Sequence, residues 1–588
     1  MAIHLADPDH NPSFTKGVFL GEIRESLVFP FPELSKEEKE NLSAILDSFR
    51  AWAKDNVDTA KQDHEGRFPE NVRTGMAELG LMGLNIPEEY GGFGASAMTF
   101  TRIFGEVGGT DGALAVYFGA HQSIGSKGIT LFGTDDQKKR WLTKCASGEL
   151  IAAFCLTEPG SGSDAQAMRT TAVPSADGKS YTLNGQKIWI SNAGYAGVLT
   201  VFAKVPVEID GKPKQRVTAF IVDAHASGVS LGKIEEKMGI KASDTRSITF
   251  DNVKIPAEDR LGDVGHGFKI ALEILNTGRL GLAAGSARGA RRILDIALAY
   301  AKQREQFGRP IGSFEMIQRK FAVAAAECYA ADAAWMLTAS MMDRGGIDFS
   351  LETAACKVFA SELVFRSSSE AMQIAGGIGY SKEFPYEQAL RDSRINMIFE
   401  GTNEILRALI ALTGLQQPGE HLKAIGKAFR DPLRSIGAIG SFLGGRVKRQ
   451  VVKPDFSQAH AALKDEADQI ATVIHDLAVG VEKLLIAHGK DVIEHQFQQE
   501  RMANVAIDVY LATAALSRAS WAIAKAGGVE KAEAEADLDN ARIFIPMAMR
   551  RARRHVRAME RNQDARLKAL AERALESGSL TVATPTDV

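Results

Sequence analysis

Ile398-Phe399-Glu400-Gly401-Thr402-Asn403-Glu404-Ile405-Leu406-Arg407 sets one carboxylate between a bulky aromatic residue and a glycine, ahead of an apolar run through Leu409 and Ile410. Phe399 keeps water from its neighbour, which disfavours the charged form of Glu400. Gly401 lets a backbone or a ligand come close. A carboxylate of raised proton affinity with room beside it meets the conditions for a general base. The plainer reading of the same stretch is a helix start, a glutamate followed by a capping threonine. Which of the two holds depends on the rest of the chain.

Working outward, residues 266–415 read as helical, with alanine-rich runs over Gly281–Lys302 and Phe321–Met342 that suit a bundle or an interface between chains. Residues 416–588 form a further helical region, richer in charge, and Gly578 to Val588 read as disordered. Upstream, 150–265 change period. Ile151–Thr157 is an apolar strand, Tyr181–Ser191 reads as two strands joined by an Asn184-Gly185 turn, and further strands follow to Ile255. Residues 35–149 are helical again, opening on a Ser35-x-x-Glu38 capping box. Residues 1–34 read as an irregular leader closed by Pro30 and Pro32. The fold class is α+β: a helical first domain, a β middle, a helical third domain and a helical extension.

Composition narrows the function. At 588 residues the length predicts three or four domains. Net charge is −3, which gives no electrostatic case for nucleic acid. The four cysteines include no C-x-x-C pair, so neither a zinc site nor a disulfide framework is indicated, and no metal is expected. The N-terminus carries acidic residues and no apolar core, unlike a secretory signal or a transit peptide. No window reaches the roughly 18 apolar residues of a membrane span. The expected location is cytoplasmic, with peripheral membrane contact as an option.

Other stretches are ambiguous alone. Gly160-x-Gly162-x-x-Ala165 formally matches a dinucleotide fingerprint, but the chain continues as strands rather than the required helix. What remains is a loop of hydroxyls and glycine amides suited to a planar heterocycle, or a plain turn. Strand alternation puts Trp189 and Ser191 on one face, for a flat cofactor or for the core. Arg304 ends a long helix before Pro310, and its planar fork suits phosphate. Gln373-Ile-Ala-Gly-Gly-Ile-Gly379 places glycines after a helix, as a C-cap or for a pyrophosphate. Asn276-Thr-Gly-Arg279 reads as a helix start whose arginine holds phosphate or sits in solvent.

In order and spacing, these stretches resemble the acyl-CoA dehydrogenase family over about 35–413: Leu156-Thr-Glu-Pro-Gly-Ser-Gly-Ser163, Gly185-x-Lys187-x-Trp189-Ile-Ser-Asn192, Arg304-x-x-Phe307-Gly, Gln373-Ile-x-Gly-Gly-x-Gly379 and Phe399-Glu-Gly-Thr402. The extension and Gly119-Ala-His-Gln-Ser-Ile-Gly125 resemble the very-long-chain branch. The resemblance implies a barrel-like middle domain, a four-helix bundle, an FAD cofactor and at least a homodimer. Phe154, Leu156, Thr157, Gly162 and Ser163 would line the isoalloxazine, Trp189 and Ser191 would close one side, and Thr402 and Glu404 would touch the flavin again. Arg304, Phe307, Gln373 and Gly377 would hold the ADP half of an FAD seated mainly in the partner subunit. Ser163, Asn276 and Arg279 would meet coenzyme A, and Gly401 the substrate. Glu315 departs from the glutamine that many relatives carry, which leaves the nucleotide-end contacts there in doubt.

The implied reaction is α,β-dehydrogenation of a fatty acyl-CoA to trans-2-enoyl-CoA in β-oxidation. Glu400 is the base, and the thioester oxygen is held by the Glu400 N–H and a flavin ribityl hydroxyl. An electron-transferring flavoprotein is the expected acceptor. Ala115 and Gly119, four apart on one helical face, are small where shorter-chain relatives are bulky, which points to chains of about C12 and above. Tyr117 and Phe118 would shorten the channel. The basic, apolar segment 421–453 is a candidate membrane surface or a solvated linker. Arg550–Arg557 reads as a solvated or intersubunit face. Rival readings are an acyl-CoA oxidase, a respiratory-complex assembly factor and, more distantly, a flavin monooxygenase.

Overall fold

A computed structural model of the chain describes residues 11–209, 211–428 and 454–580. The N-terminal helices are α1 (Phe14–Leu20), α2 (Glu25–Val28), α3 (Lys36–Asn56), α4 (Thr59–Glu65), α5 (Glu70–Glu78), α6 (Ala97–Thr110), α7 (Gly112–Gly119), α8 (Lys127–Phe132) and α9 (Asp135–Ala146). Ser35 and Glu38 form the capping box that starts α3. Residues 11–31, expected to be irregular, instead hold α1 and α2. Ser13 caps α1, Gly21 ends it in the left-handed region, and Phe14, Val18 and Phe19 are buried. Glu352 accepts from Ser13 Oγ at 2.9 Å and from the Thr15 N–H at 2.8 Å. The segment is thus part of the bundle's core; a seven-residue helix has too few periodic positions to show in sequence.

The middle region forms one mixed sheet: β1 (Ile151–Cys155), β2 (Thr171–Pro174), β3 (Ser180–Ser191), β4 (Ala196–Ile209), β5 (Lys212–Asp223), β6 (Val229–Leu231), β7 (Thr245–Pro256) and β8 (Arg260–Leu261). The order runs β6-β7-β3-β2-β4-β5-β8, and β1 lies parallel on β4. The Asn184-Gly185 hairpin does not form. β3 runs through it as one strand against β7, with a register shift at Gly185. Gly185 (φ 148°) lies so close to Thr170 that a Cβ would sit 2.4 Å from the threonine Oγ1. That close approach, rather than a turn, is what the glycine serves.

The helical remainder comprises α10 (Gly267–Gln303), α11 (Glu315–Arg344), α12 (Ser350–Ala375), α13 (Gly377–Tyr380), α14 (Tyr386–Ser393), α15 (Asn403–Ala428), α16 (Lys464–His488), α17 (Gln496–Ala526), α18 (Ala532–Glu560) and α19 (Asp564–Ser577). Helices α16–α18 pack on α11 and α15 and share one continuous core with them. Tyr510 of α17 meets Thr338 of α11 at 2.6 Å. The segment Asn276–Arg279 lies well inside α10 rather than at a helix start. No helix among the described residues is long and apolar enough to cross a membrane. The candidate membrane surface lies outside the described residues, save for the backbone of 421–428 at the end of α15.

Candidate active site

A cavity of about 930 Å³ opens where the sheet meets α6, α7 and α10. Glu400 reaches it from the turn before α15, in the left-handed region at φ 55°, with Gly401 next at φ 93°. A non-glycine residue there costs about 1–3 kcal/mol and persists only where its surroundings hold it. Two cations do so. Arg279, 3% exposed, donates through Nε to the Glu400 carbonyl at 3.1 Å and through a second nitrogen to Asn276 Oδ1 at 2.8 Å. Lys357, wholly buried on α12, donates to the Gly401 carbonyl and to Asn403 Oδ1, both at 2.9 Å. Arg279 therefore sits in neither solvent nor a helix start.

The Glu400 side chain lies across Gly278, where a Cβ would fall 3.1 Å from Oε2 and 2.9 Å from Ile124. Oε2 is sequestered and has no hydrogen-bond partner among the described residues. Burial pushes the carboxyl up to about 7, against the pull of Arg279 and Lys357. Gly278→Ala is expected to displace the carboxylate and lower turnover about tenfold or more, and to cost about 1–3 kcal/mol from crowding against Ile124, measured as kcat beside a melting curve.

The cavity's other wall is the sheet. Phe154, Leu156, Thr157, Gly162, Ser163, Trp189 and Ser191 all line it. Trp189 and Ser191 do not sit in simple strand alternation, because the β3–β7 register slips between Lys187 and Ile190 and Trp189 sits at φ 60°. Both residues face the cavity all the same. Trp189 is 58% exposed, a large apolar face that a flat ligand would cover. A buried ion pair holds the loop. Lys187 Nζ meets Glu158 Oε1 at 2.7 Å and the Leu156 carbonyl at 2.9 Å, and Glu158 accepts from the N–H groups of Arg169 and Thr170. Sequence reasoning gave no role to Glu158, Lys187, Gly278 or Lys357. Only a buried-lysine clue would have found Lys357, and burial is not written locally.

Thr402, Glu404, Arg304, Phe307, Gln373 and Gly377 do not line the cavity. Thr402 caps α15, its hydroxyl accepting from the Ile405 N–H at 3.3 Å, and Glu404 is exposed in the first turn, so the plainer reading of this stretch also holds. Arg304, Phe307, Gln373 and Gly377 are exposed; Phe307 is 93% exposed at φ 54°. Ala115 and Gly119 line the cavity from α7.

Profiles of the acyl-CoA dehydrogenase N-terminal, middle and C-terminal domains match residues 39–149, 153–253 and 265–415. A crystal structure of an acyl-CoA dehydrogenase complexed with FAD, from Bacillus anthracis, aligns at TM-score 0.78 and 30% identity, over 98% of this chain and 96% of that one. The chain belongs to the acyl-CoA dehydrogenase family. Within it, residues 461–580 match the profile named ACAD9/ACADV, C-terminal domain. The very long-chain specific acyl-CoA dehydrogenase, mitochondrial, of Bos taurus is 42% identical over 527 residues, 87% of this chain and 79% of that one. A probable acyl-CoA dehydrogenase of Bacillus subtilis (strain 168) is 34% identical, over 91% of this chain and 88% of that one.

Proposed function

We propose that the chain is an FAD-dependent dehydrogenase of long- or very-long-chain fatty acyl-CoA, making trans-2-enoyl-CoA for β-oxidation and passing electrons to an electron-transferring flavoprotein. One observation carries the reading: a carboxylate with a raised proton affinity, one oxygen of which is sequestered and without a partner among the described residues, at the cavity between α7, α10 and the sheet. The sheet wall fits FAD. Trp189 supplies an uncovered aromatic face, and Thr157, Ser163 and Ser191 supply hydroxyls beside open glycine backbone at Gly162. When bound, FAD supplies the acceptor for the hydride leaving the β-carbon.

The protein's part is the α-proton. Glu400 takes it as general base, and an acyl chain filling the cavity removes the last water that would favour its charge. The Glu400 N–H, on a backbone fixed by Arg279, is the protein's donor to the thioester oxygen as charge develops there. Exposed Arg304, Phe307, Gln373 and Gly377 serve the ADP half of the partner subunit's FAD in a homodimer.

The cavity beyond Glu400 supports a long acyl chain. Gly119 does not leave empty space. A Cβ there would fall 2.8 Å from Phe104, whose ring also lies against Gly281 and Gly285 of α10. Tyr117 and Phe118 pack into the core and do not line the cavity. The lining continues past Phe104 to Gly108, Gly112 and Ile293, so a long chain has a path along α10. Each buried methylene adds roughly 0.8 kcal/mol. Activity over C4 to C20 acyl-CoAs, with the enoyl product identified by mass, is expected to peak at about C12 or above. A peak at C4 to C6 would contradict the substrate class, and stoichiometric hydrogen peroxide in air would favour an oxidase.

A further inference from the structure

The Lys357 ammonium is fully buried, yet its hydrogen bonds go to a carbonyl and an amide oxygen rather than to a carboxylate. A buried ammonium is costly, and most are paired. Its two acceptors, Gly401 O and Asn403 Oδ1, lie just after Glu400, between it and the start of α15. Asn403 is itself fixed: it donates to Ser361 Oγ and Glu362 Oε1, both at 3.1 Å, and its oxygen accepts from Ser361 at 3.4 Å. The turn holds two successive left-handed residues, only one of them glycine. Arg279 anchors the first carbonyl from α10, and Lys357 anchors the second from α12.

We propose that Lys357 is a positioning residue for the proton-abstraction step: its ammonium locks the Glu400-Gly401 turn that aims the carboxylate into the cavity, and it brings a positive charge to that same turn. This rests on the reading of Glu400 as the base.

The charged groups that act on this pair are Arg279 from α10, Glu362 from α12 and Glu404 from α15. Glu362 is paired with Arg407 at 2.8 Å, and Glu404 is exposed. Arg279 and Lys357 are thus the two cations acting on the Glu400 carboxyl. Burial lowers Lys357 to about 8, and Glu400 pulls it back up. Removing the lysine's charge removes a pull that lowers the glutamate, so the Glu400 titration moves to higher pH. An opposite charge at close range is worth on the order of one pH unit.

The experiment compares flavin-loaded wild type with Lys357→Met, Lys357→Gln and Lys357→Arg. The first readout is the acid limb of kcat/KM for a long-chain acyl-CoA. The second is independent of turnover: the Glu400 carboxyl band followed with pH by infrared difference spectroscopy, assigned by its loss in Glu400→Gln. In Lys357→Met and Lys357→Gln both readouts are expected to move up by about one pH unit. Lys357→Gln, which can still donate to Gly401, should retain more of kcat than Lys357→Met. Lys357→Arg should restore the titration but not the full rate. An acid limb and a carboxyl band unchanged in the neutral variants would overturn the proposal, as would a Lys357→Arg titration that follows theirs. Should Lys357→Met not fold, Lys357→Gln decides. Should wild type turn over no acyl-CoA, the dehydrogenase reading fails by itself, and the infrared titration still tests the Lys357–Glu400 coupling.

Discussion

Glu400→Gln is expected to fold, keep its flavin and lose acyl-CoA dehydrogenation by about 10²–10⁴-fold. The amide matches the carboxylate in shape, so its packing over Gly278 and the anchors at both carbonyls survive. What disappears is the carboxylate proposed to take the α-proton. The pH dependence has the same origin. Burial pushes the Glu400 carboxyl up to about 7, and a general base must be ionised to act. Wild-type kcat/KM should therefore fall about tenfold per pH unit below that value, and the variant's residual rate should lack this limb. A variant retaining near-wild-type rates in single-turnover stopped flow would remove Glu400 from the mechanism.

Lys187→Met should be the most destabilising of the substitutions considered. It strands Glu158, 5% exposed, with two backbone N–H groups and no cation. Breaking one side of a buried pair costs about 3–5 kcal/mol, because the remaining charge stays desolvated. The loss falls on the loop from Leu156 to Ser163, so flavin retention should drop with stability. Thermal melts and flavin-to-protein ratios check this. Lys187→Met with Glu158→Leu should recover part of the stability, since the desolvated charge is gone. A single variant that melts with wild type would show that the pair holds nothing.

The Glu400 stretch was legible because its chemistry is local: an aromatic before the carboxylate and a glycine after it. The groups that make it a site were not. Gly278, Arg279 and Lys357 come from two other helices, and nothing in their own neighbourhoods announces burial. Arg279 read equally well as a solvent arginine. The Asn184-Gly185 pair carries strong hairpin chemistry, but pairing with β7 and the approach to Thr170 override it. Residues 11–31 look irregular because their helices are short, and their burial depends on a glycine in α15. A Cβ at Gly414 would fall 2.5 Å from Phe19. The long helices and the sheet were plain from their periods, since a repeat of 3.6 or 2 sustained over many residues leaves little choice of structure.

The most direct test of Glu400 as the base is anaerobic stopped flow on wild-type holoenzyme, using a long-chain acyl-CoA deuterated at the α-carbon. The account predicts rapid loss of the flavin's visible absorbance, slowed by deuterium, with formation of one trans-2-enoyl-CoA per flavin and no such phase in Glu400→Gln. A purified, folded protein that takes up no FAD, or whose flavin no fatty acyl-CoA reduces, would contradict it.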